Sequence, residues 1–412
     1  MYFSPLLSLL LTITSFVNFL SALDISAKNN VAVYWGQNAG LNQERLSEYC
    51  DTSSANIVIL SFISSFPSLT LNFANQCSDT FSDGLLHCSD IGSDIKSCQA
   101  KGIKVLLSMG GASGTYGFDS DSEAETFATT LWNKFAGGSD DERPFDDAVV
   151  DGFDFDIENN QQTGYTALAD KLRDYFDGDS SKTYYLSAAP QCPYPDQSVG
   201  DLMANSKLDF AFIQFYNNYC ALGSSFNYDT WADYAKSAPN SNIKLFVGLP
   251  ASSLSAGSGY NDASTVADYV DKFQNDAHFG GFSLWDASSA WANTNGNQNY
   301  AQQLKELITS NVSEAATTAA ISEVDTSIST NSVYSVTGSV TSSASDNSFS
   351  PTFTTSQNVE TYYVDSTVTV IVTATPSSQV NQVVEKRNYE GAAASVPISI
   401  TAVIISVLML AM

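Results

Sequence analysis

Three carboxylates alternate with apolar residues in one short stretch of the chain, residues 151–158, which reads Asp-Gly-Phe-Asp-Phe-Asp-Ile-Glu. Successive side chains of a strand point to opposite faces, so a strand here would place Asp154, Asp156 and Glu158 on one face. Neighbouring carboxylates would then lie roughly 6–7 Å apart. Like charges this close cannot all ionise freely, so we expect at least one carboxyl group to keep its proton, as a general acid requires.

Two other interpretations of this acidic row stay open, a solvated acidic edge strand and a metal site. The apolar residues Phe153, Phe155 and Ile157 on the opposite face argue against an exposed strand, because such strands rarely carry three large apolar side chains. The only two histidines, His87 and His278, are far from the acidic row in the sequence, and no C-x-x-C pair suggests zinc. We therefore expect neither a metal ion nor another cofactor.

Short β-rich segments alternate with helical stretches from residue 31 to residue 308. The predicted strands are 31–36, 56–62, 103–109, 149–157, 184–189, 209–216, 243–249 and 279–285. The predicted helices include 124–135, 165–176 and 263–275. Eight such alternations predict a (β/α)₈ TIM barrel, which typically takes about 250 residues and has its active site at the carboxyl ends of its strands. The acidic row ends one of the predicted strands.

Several motifs carry a family resemblance. The acidic stretch resembles the D-G-x-D-x-D-x-E signature of the family 18 glycoside hydrolases, the chitinases. SMGG at 108–111 resembles the S-x-G-G strand end of that family. The remaining motifs resemble its hevamine-like branch of plant class III and fungal members: YWGQN at 34–38, AAPQCP at 188–193, QFYNN at 214–218 and LW at 284–285. The resemblance extends from about residue 28 to about residue 308, over the predicted barrel.

The resemblance implies retaining, substrate-assisted hydrolysis, in which the N-acetyl carbonyl of the substrate acts as the nucleophile. Glu158 is expected to protonate the glycosidic oxygen and later to activate water. Asp156 is expected to bind the acetamido N–H, and Asp154 to share a proton with Asp156. Tyr216 is expected to donate a hydrogen bond to the acetamido oxygen. Asp151, at the start of the strand, is expected to be structural.

Further positions are expected to bind the substrate. Trp285 would form an apolar floor under the sugar, and Gln214 would line the same pocket. The other expected groove positions are Tyr34, Phe62, Gly111 and Ala189. Tyr34 and Phe62 can equally be core aromatics, and Gly111 can simply permit close strand packing.

The resemblance implies chitin and chitin oligosaccharides as the substrates. The stretch between the seventh and eighth predicted strands is too short for the α+β insertion of bacterial-type members, which predicts a shallow groove and cuts within the polymer. Two other functions stay open: a non-catalytic chitin-binding protein and an endo-β-N-acetylglucosaminidase. A structural wall adhesin, in which the tail matters more than the barrel, is a further alternative.

The net charge of the chain disfavours nucleic acid as a partner. With 17 basic and 44 acidic residues the net charge is −27, which disfavours nucleic acid but does not repel a neutral polysaccharide. Nothing in the sequence calls for a second subunit, and we expect a monomer.

The amino-terminal residues 1–22 resemble a secretory signal, since an apolar run is followed by small residues; a membrane anchor is the alternative. Six cysteines would then meet an oxidising compartment, and spacing alone leaves their pairing open. The family resemblance implies the disulfides Cys50–Cys98, Cys77–Cys88 and Cys192–Cys220. We therefore predict a secreted barrel domain over residues 23–310.

The composition changes after the predicted barrel. Residues 311–387 are rich in Ser and Thr and predict a disordered, O-glycosylated stalk, or an unmodified disordered tail. Asn311 begins an N-glycosylation sequon. Residues 388–412 end in an apolar run after small residues, which predicts a GPI-anchor signal with attachment at Gly391; Asn388 and Ala392 are alternatives, as is a transmembrane helix.

These end segments predict a protein tethered at a fungal cell surface, either to the plasma membrane through a GPI lipid or to wall glucan. The dibasic pair Lys386-Arg387 resembles a processing site, where cleavage would release the barrel from its anchor. The expected role is the remodelling of wall chitin during growth or cell separation.

Overall fold

The structure is a computed structural model that describes residues 23–40, 42–52 and 54–309. These residues all lie within the unit Met1–Val324, and residues 325–412 lie outside the described part of the chain. The predicted secretory signal, the stalk, Asn311, the dibasic pair and Gly391 also lie outside them.

Eight parallel strands form a closed barrel. They are β1 (Asn30–Trp35), β2 (Ile57–Phe66), β3 (Lys104–Gly110), β4 (Gly152–Asp156), β5 (Tyr185–Ala188), β6 (Phe210–Gln214), β7 (Lys244–Pro250) and β8 (Phe279–Trp285). Each strand pairs with the next in sequence, and β8 returns to pair with β1. The predicted (β/α)₈ barrel is therefore confirmed.

Helices follow the strands along the chain. They are α1 (Leu46–Cys50), α2 (Ser89–Ala100), α3 (Asp121–Phe135), α4 (Tyr165–Gly178), α5 (Gly200–Asn205), α6 (Tyr228–Ala235), α7 (Ala263–Ala267) and α8 (Ala287–Ala292). Residues 300–309 are also helical. In α3 the side chain of Ser120 caps the first turn, and apolar residues recur three and four positions apart to form one buried face.

The alternation of residues in β4 separates two parts of the core. Phe153 and Phe155 point outward and join the large apolar cluster between the barrel and its helices. Asp154 and Asp156 point into the barrel and are buried. The barrel interior is otherwise filled by a smaller apolar cluster, which includes Tyr34, Phe212 and Phe246. The predicted division of this stretch into an acidic face and an apolar face is confirmed.

Every predicted strand overlaps an observed one, and the deviations lie at the ends. The fourth predicted strand, 149–157, is too long, because β4 begins only at Gly152. Just before it, the Asp151 carboxylate accepts the backbone N–H of Val105. The predicted helix 263–275 is also too long, since α7 ends at Ala267 and a separate 3₁₀ turn covers Val270–Lys272.

Three disulfides close loops around the barrel. They join Cys50 to Cys98, Cys77 to Cys88 and Cys192 to Cys220, which are the pairs that the family resemblance implies. Within the described part of the chain, no helix is both long and apolar enough to cross a membrane. Nor do the described residues bring three His, Cys, Asp or Glu side chains together as metal ligands.

Candidate active site

A cavity of about 190 Å³ opens at the carboxyl ends of the strands. It is lined by Tyr34, Phe62, Ala112, Asp156, Glu158, Phe212, Gln214, Tyr216, Asn217, Gly248, Ser255, Ser283, Leu284 and Trp285. These residues come from most of the barrel strands and from the loops that follow them. The closed barrel therefore gathers side chains that are widely separated in the sequence.

Asp154 lies beneath this cavity, fully buried among hydroxyl groups. The strand register places Ser108 of β3 and Ser187 of β5 directly beside it. Ser108 Oγ donates to Asp154 Oδ2 at 2.7 Å, and Ser187 Oγ donates to Oδ1 at 2.6 Å. Tyr34 Oη adds a third hydrogen bond at 3.2 Å. Burial raises the pKa of Asp154, and the three hydroxyl donors counter that rise by stabilising the charged form.

Asp156 and Glu158 form a carboxyl pair at the base of the cavity. Both groups line the cavity, and each influences the pKa of the other. Burial raises the pKa of Asp156 well above the usual value, and the charges of Glu158 and Asp154 raise it further. Burial likewise raises the pKa of Glu158, although its hydrogen bonds with Gln214 and Asp156 work in the opposite direction.

Gln214, at the end of β6, fixes one side of this pair. Its Nε2 donates to Asp156 Oδ1 at 3.0 Å and to the carbonyl oxygen of Ala189 at 3.0 Å. The second contact orients the amide group, because only the NH₂ end of the glutamine can serve two acceptors at once. Gln214 therefore presents a hydrogen-bond donor to Asp156.

Tyr116 supports the chain at the half-buried residue Glu158. The backbone N–H of Glu158 donates to Tyr116 Oη at 3.0 Å, and that hydroxyl donates to the carbonyl oxygen of Gly111 at 2.7 Å. Burial raises the pKa of Tyr116 to about 12, so the hydroxyl keeps its proton and can act as both donor and acceptor. The backbone of Glu158 is thus held in place, and its side chain lines the cavity.

Aromatic rings form another wall of the cavity. The ring of Trp285 stacks on Phe62, with centroids 5.9 Å apart and planes at 22°. Tyr34 packs against the same indole at 5.7 Å. Such rings offer an apolar face to the C–H groups of a sugar, while their neighbours limit the rotation of the indole.

Tyr216 also lines the cavity, two residues after β6. Burial raises the pKa of its hydroxyl well above the usual value, and the nearby charges of Asp156 and Glu158 raise it further. The hydroxyl is therefore a proton donor at any physiological pH. A donor beside the carboxyl pair is what an acceptor oxygen of a bound ligand would meet.

Most of the residues predicted for the site come together around this cavity. Asp156, Glu158, Tyr216, Gln214 and Trp285 line it. Tyr34 and Phe62 line it as well, and both are also packed into the protein, with 6% of their surface exposed. Binding and packing, which the sequence left as alternatives for these two aromatics, are therefore combined in the structure.

Two predicted groove positions do not line this cavity, and Asp154 lies below it. Gly111 has φ +87°, and a Cβ there would meet the ring of Phe62 at 2.9 Å, so this glycine permits the approach of that ring. Ala189 is buried and holds Gln214 through its carbonyl oxygen. The predicted proton sharing of Asp154 with Asp156 stays a prediction.

Several groups around the site were not predicted from the sequence. Tyr116, Ser187 and Asp196 surround the carboxyl groups but lie in separate segments of the chain. Ser108 belongs to the SMGG motif, which signalled a strand end without showing the role of the hydroxyl. The alternation of small polar residues at inward positions of neighbouring strands is the signal that could have found Ser187.

An eight-stranded barrel with buried carboxyl groups at the carboxyl ends of its strands, beside an aromatic wall, has the architecture of the barrel glycoside hydrolases. The chain matches the sequence model described as "Glycosyl hydrolases family 18" over residues 30–394. It therefore belongs to that family.

Named relatives agree with this membership. The chain is 59% identical over 304 residues to "Chitinase 1" of Candida albicans, which covers 74% of this chain and 64% of the relative. It is 58% identical over 319 residues to "Endochitinase" of Saccharomyces cerevisiae, covering 76% of this chain and 56% of the relative. This chain thus spans less than two thirds of the length of either fungal relative.

Among solved structures, the crystal structure of the ICChI chitinase from Ipomoea carnea is similar, with a TM-score of 0.59 and 32% identity. The similarity covers 68% of this chain and 99% of the plant protein. The barrel is therefore the part of the chain that the plant chitinase shares.

Proposed function

We propose that this protein is an endochitinase, which hydrolyses β-1,4 bonds between N-acetylglucosamine residues within chitin. The observation that carries the proposal is the cavity in which Asp156 and Glu158 lie with Trp285 and Tyr216; burial raises the pKa of both carboxyl groups. The names of both fungal relatives support chitin as the substrate, and the name "Endochitinase" of the Saccharomyces cerevisiae relative supports cleavage within the polymer.

Glu158 is the general acid and base of this proposal. It lines the cavity, and burial raises its pKa, which favours the protonated form that a general acid needs. Its proton goes to the glycosidic oxygen as the bond to the anomeric carbon breaks. After the leaving sugar departs, the ionised Glu158 takes a proton from water, and that water attacks the same carbon.

The nucleophile in this mechanism is the acetamido oxygen of the substrate. Asp156 accepts a hydrogen bond from the acetamido N–H and stabilises the positive charge of the cyclic intermediate. Tyr216 donates its hydroxyl hydrogen to the acetamido oxygen and so aligns it for attack. Two displacements at one carbon return the original configuration, so the product keeps the β-anomeric form.

The cell-surface setting is part of the proposal. A secretory signal in residues 1–22, a Ser/Thr-rich stalk at 311–387 and a GPI attachment at Gly391 would hold a monomeric barrel outside a fungal cell. The three disulfides support an oxidising compartment. The role proposed there is the turnover of wall chitin.

The test is hydrolysis of a soluble chitin tetramer by the purified protein, with fresh products resolved by anomeric form. The wild type is expected to cleave and to release the β-anomer. Glu158→Gln is expected to bind the tetramer but to lose about 10²–10⁴-fold in kcat, the range for a general acid and base. The matched control is Glu125→Gln, an exposed glutamate of α3, which should retain full activity.

Three outcomes would contradict the proposal. Binding without cleavage by the wild type would indicate a chitin-binding protein. Cleavage of glycoprotein N-glycans in preference to chitin would indicate an endo-β-N-acetylglucosaminidase. Full turnover by Glu158→Gln would remove the assigned acid.

A further inference from the structure

A buried carboxylate outside the mechanism above organises the loop after β5. Asp196 is 9% exposed and accepts three backbone N–H groups. Its Oδ1 accepts from Ser198 and Val199, both at 2.7 Å, and its Oδ2 accepts from Gln191 at 2.9 Å. The two oxygens of one side chain therefore close residues 191–199 into a fixed loop.

One end of this loop is joined to the glutamine that holds the carboxyl pair. The backbone N–H of Gln214 donates to the carbonyl oxygen of Pro190 at 2.8 Å. The backbone N–H of Cys192 donates to the carbonyl oxygen of Gln214 at 3.2 Å. Gln191 stands between these two residues and is the one that Asp196 holds. A shift of Gln191 would thus move the backbone partners of Gln214, whose side chain binds Asp156.

The other end of the loop is joined to the chain that follows Glu158. Ser198 Oγ accepts the backbone N–H of Asn160 at 2.9 Å, two residues after Glu158. Because Asp196 also binds the N–H of Ser198, the same carboxylate fixes both contacts. Through these contacts the two oxygens of Asp196 hold two segments beside the carboxyl pair, one joined to Gln214 and one that follows Glu158.

Asp196 also acts on the pair through its charge. The hydrogen-bond donors to it are backbone N–H groups, and three such donors favour the ionised form against the effect of burial. The negative charge of Asp196 raises the pKa of Asp156 and of Glu158. Burial is the largest influence on Asp196 and leaves its own pKa raised, so this charge acts on the pair where Asp196 is ionised.

Other groups face the same pair from the neighbouring strands. Asp154 of β4 faces Asp156 from below, and its charge also raises the pKa of that group. Tyr216 faces the pair from beyond β6, and Tyr34 approaches from β1. The Tyr116 hydroxyl contacts the backbone of Glu158. All of these groups remain when only Asp196 is changed, so its effect can be measured separately.

We propose that Asp196 is a positioning residue for the hydrolysis proposed above, which this inference presupposes. It holds Gln214 and the chain after Glu158 in the geometry of the reaction, and its charge helps to keep the proton on the Asp156–Glu158 pair. Asp196 makes no contact with the substrate in this role.

The experiment compares wild type and Asp196→Asn in kcat, KM and the pH profile of chitin-tetramer hydrolysis. Removal of the negative charge lowers the pKa of the acid, so the alkaline limb of the profile should move down by roughly one pH unit. We expect kcat to fall about tenfold at the wild-type optimum, with KM changed by less than about twofold, because the cavity lining is retained.

The matched control is Asp209→Asn at the opposite end of the barrel. Asp209 is a largely buried carboxylate that accepts the N–H of Leu186 and pairs with Arg173. Its replacement is expected to lower the melting temperature and to leave the pH profile in place. If Asp196→Asn also lowers only the melting temperature, its role is structural and the proposal is wrong.

A second variant keeps the inference testable if Asp196→Asn does not fold. Ser198→Ala removes the contact with Asn160 but no charge, so kcat should fall while the pH limbs stay in place. An unchanged kcat would overturn the positioning role. A wild type that cannot hydrolyse the tetramer would instead refute the proposed function, which separates the two failures.

Discussion

The strand β4 separates two buried aspartates with opposite surroundings. Asp151, just before its first residue, lies 2.9 Å from Lys182 Nζ and 3.9 Å from Lys104 Nζ, and it accepts the backbone N–H of Val105. Asp156, the last residue, meets an amide and the carboxyl group of Glu158. The first aspartate is thus surrounded by cations, whereas the second faces another acid.

The difference shows how one strand serves stability at one end and chemistry at the other. A buried carboxylate that contacts lysines and a backbone N–H donor holds neighbouring segments together. A buried carboxyl group beside a second acid has a raised pKa and keeps a proton that it can donate or share.

The largest effect on stability is expected when Asp151 is changed. Asp151→Asn leaves Lys182 and Lys104 without their buried partner, and the free energy of unfolding should fall by about 3 kcal/mol. Urea denaturation measures this loss. The activity of the remaining folded protein should be preserved, since Asp151 lies at the far end of β4.

The control for this prediction is Asp147→Asn, which removes a carboxylate from the exposed pair with Lys96. Exposed pairs contribute little, so no change in stability is expected. Equal losses in Asp151→Asn and Asp147→Asn would show that burial does not distinguish the two ion pairs.

The next largest effect is expected at the other end of the strand, and it should appear in kinetics. Asp156→Asn should lower kcat on the chitin tetramer by about 10²–10³-fold, because the amide cannot stabilise the positive intermediate. The fold should be retained, since Asn keeps the shape of the side chain. If Asp156→Asn lost stability but retained turnover, the proposed division of β4 into a stabilising end and a catalytic end would be wrong.

The smallest effect concerns the dependence of stability on pH. Because the pKa of Asp156 is raised in the folded state, the folded protein binds more protons than the unfolded chain between the ordinary carboxyl pKa and the raised one. The contribution of Asp156 to stability is therefore full below that window and is lost as the pH rises through it. The loss is about 1.4 kcal/mol for each pH unit that separates the raised pKa from the ordinary one.

Asp156→Asn removes this titration and should therefore gain stability relative to the wild type as the pH rises. The difference in the free energy of unfolding between Asp156→Asn and the wild type should level off above the folded-state pKa of Asp156. Urea denaturation at a series of pH values measures it for both proteins. A gap that does not vary with pH would show that the wild-type carboxyl group has an ordinary pKa.

The strands and the acidic face were accessible to sequence reasoning because they depend on local alternation. Phe153 and Phe155 had to share a face opposite Asp154 and Asp156, whatever surrounded them. Motifs at strand ends also indicated Gln214 and Trp285, because a barrel brings all carboxyl ends of its strands to one side. The end of α7 was harder to predict from the sequence, because the apolar residues Val270 and Phe273, which follow the helix, are also buried.

The contacts that support the site residues could not be predicted from local alternation or from motifs. Gly111 and Ala189 belong to site motifs, yet each acts through a neighbour, Phe62 in one case and Gln214 in the other. Asp196 was not singled out at all, because a lone aspartate in a loop has no distinctive pattern. The importance of such residues comes from the chain segments that packing brings beside them.

The amino-acid sequence by itself determined the class of fold, the order of carboxylates on β4 and the family to which the chain belongs. These properties follow from the period of a strand and from short motifs, which are local. Tertiary structure alone decided which carboxyl group met a lysine, which met another acid and which met serine hydroxyls. Closure of the barrel sets these partners, because burial and neighbouring charge, not residue type, determine where a proton is held.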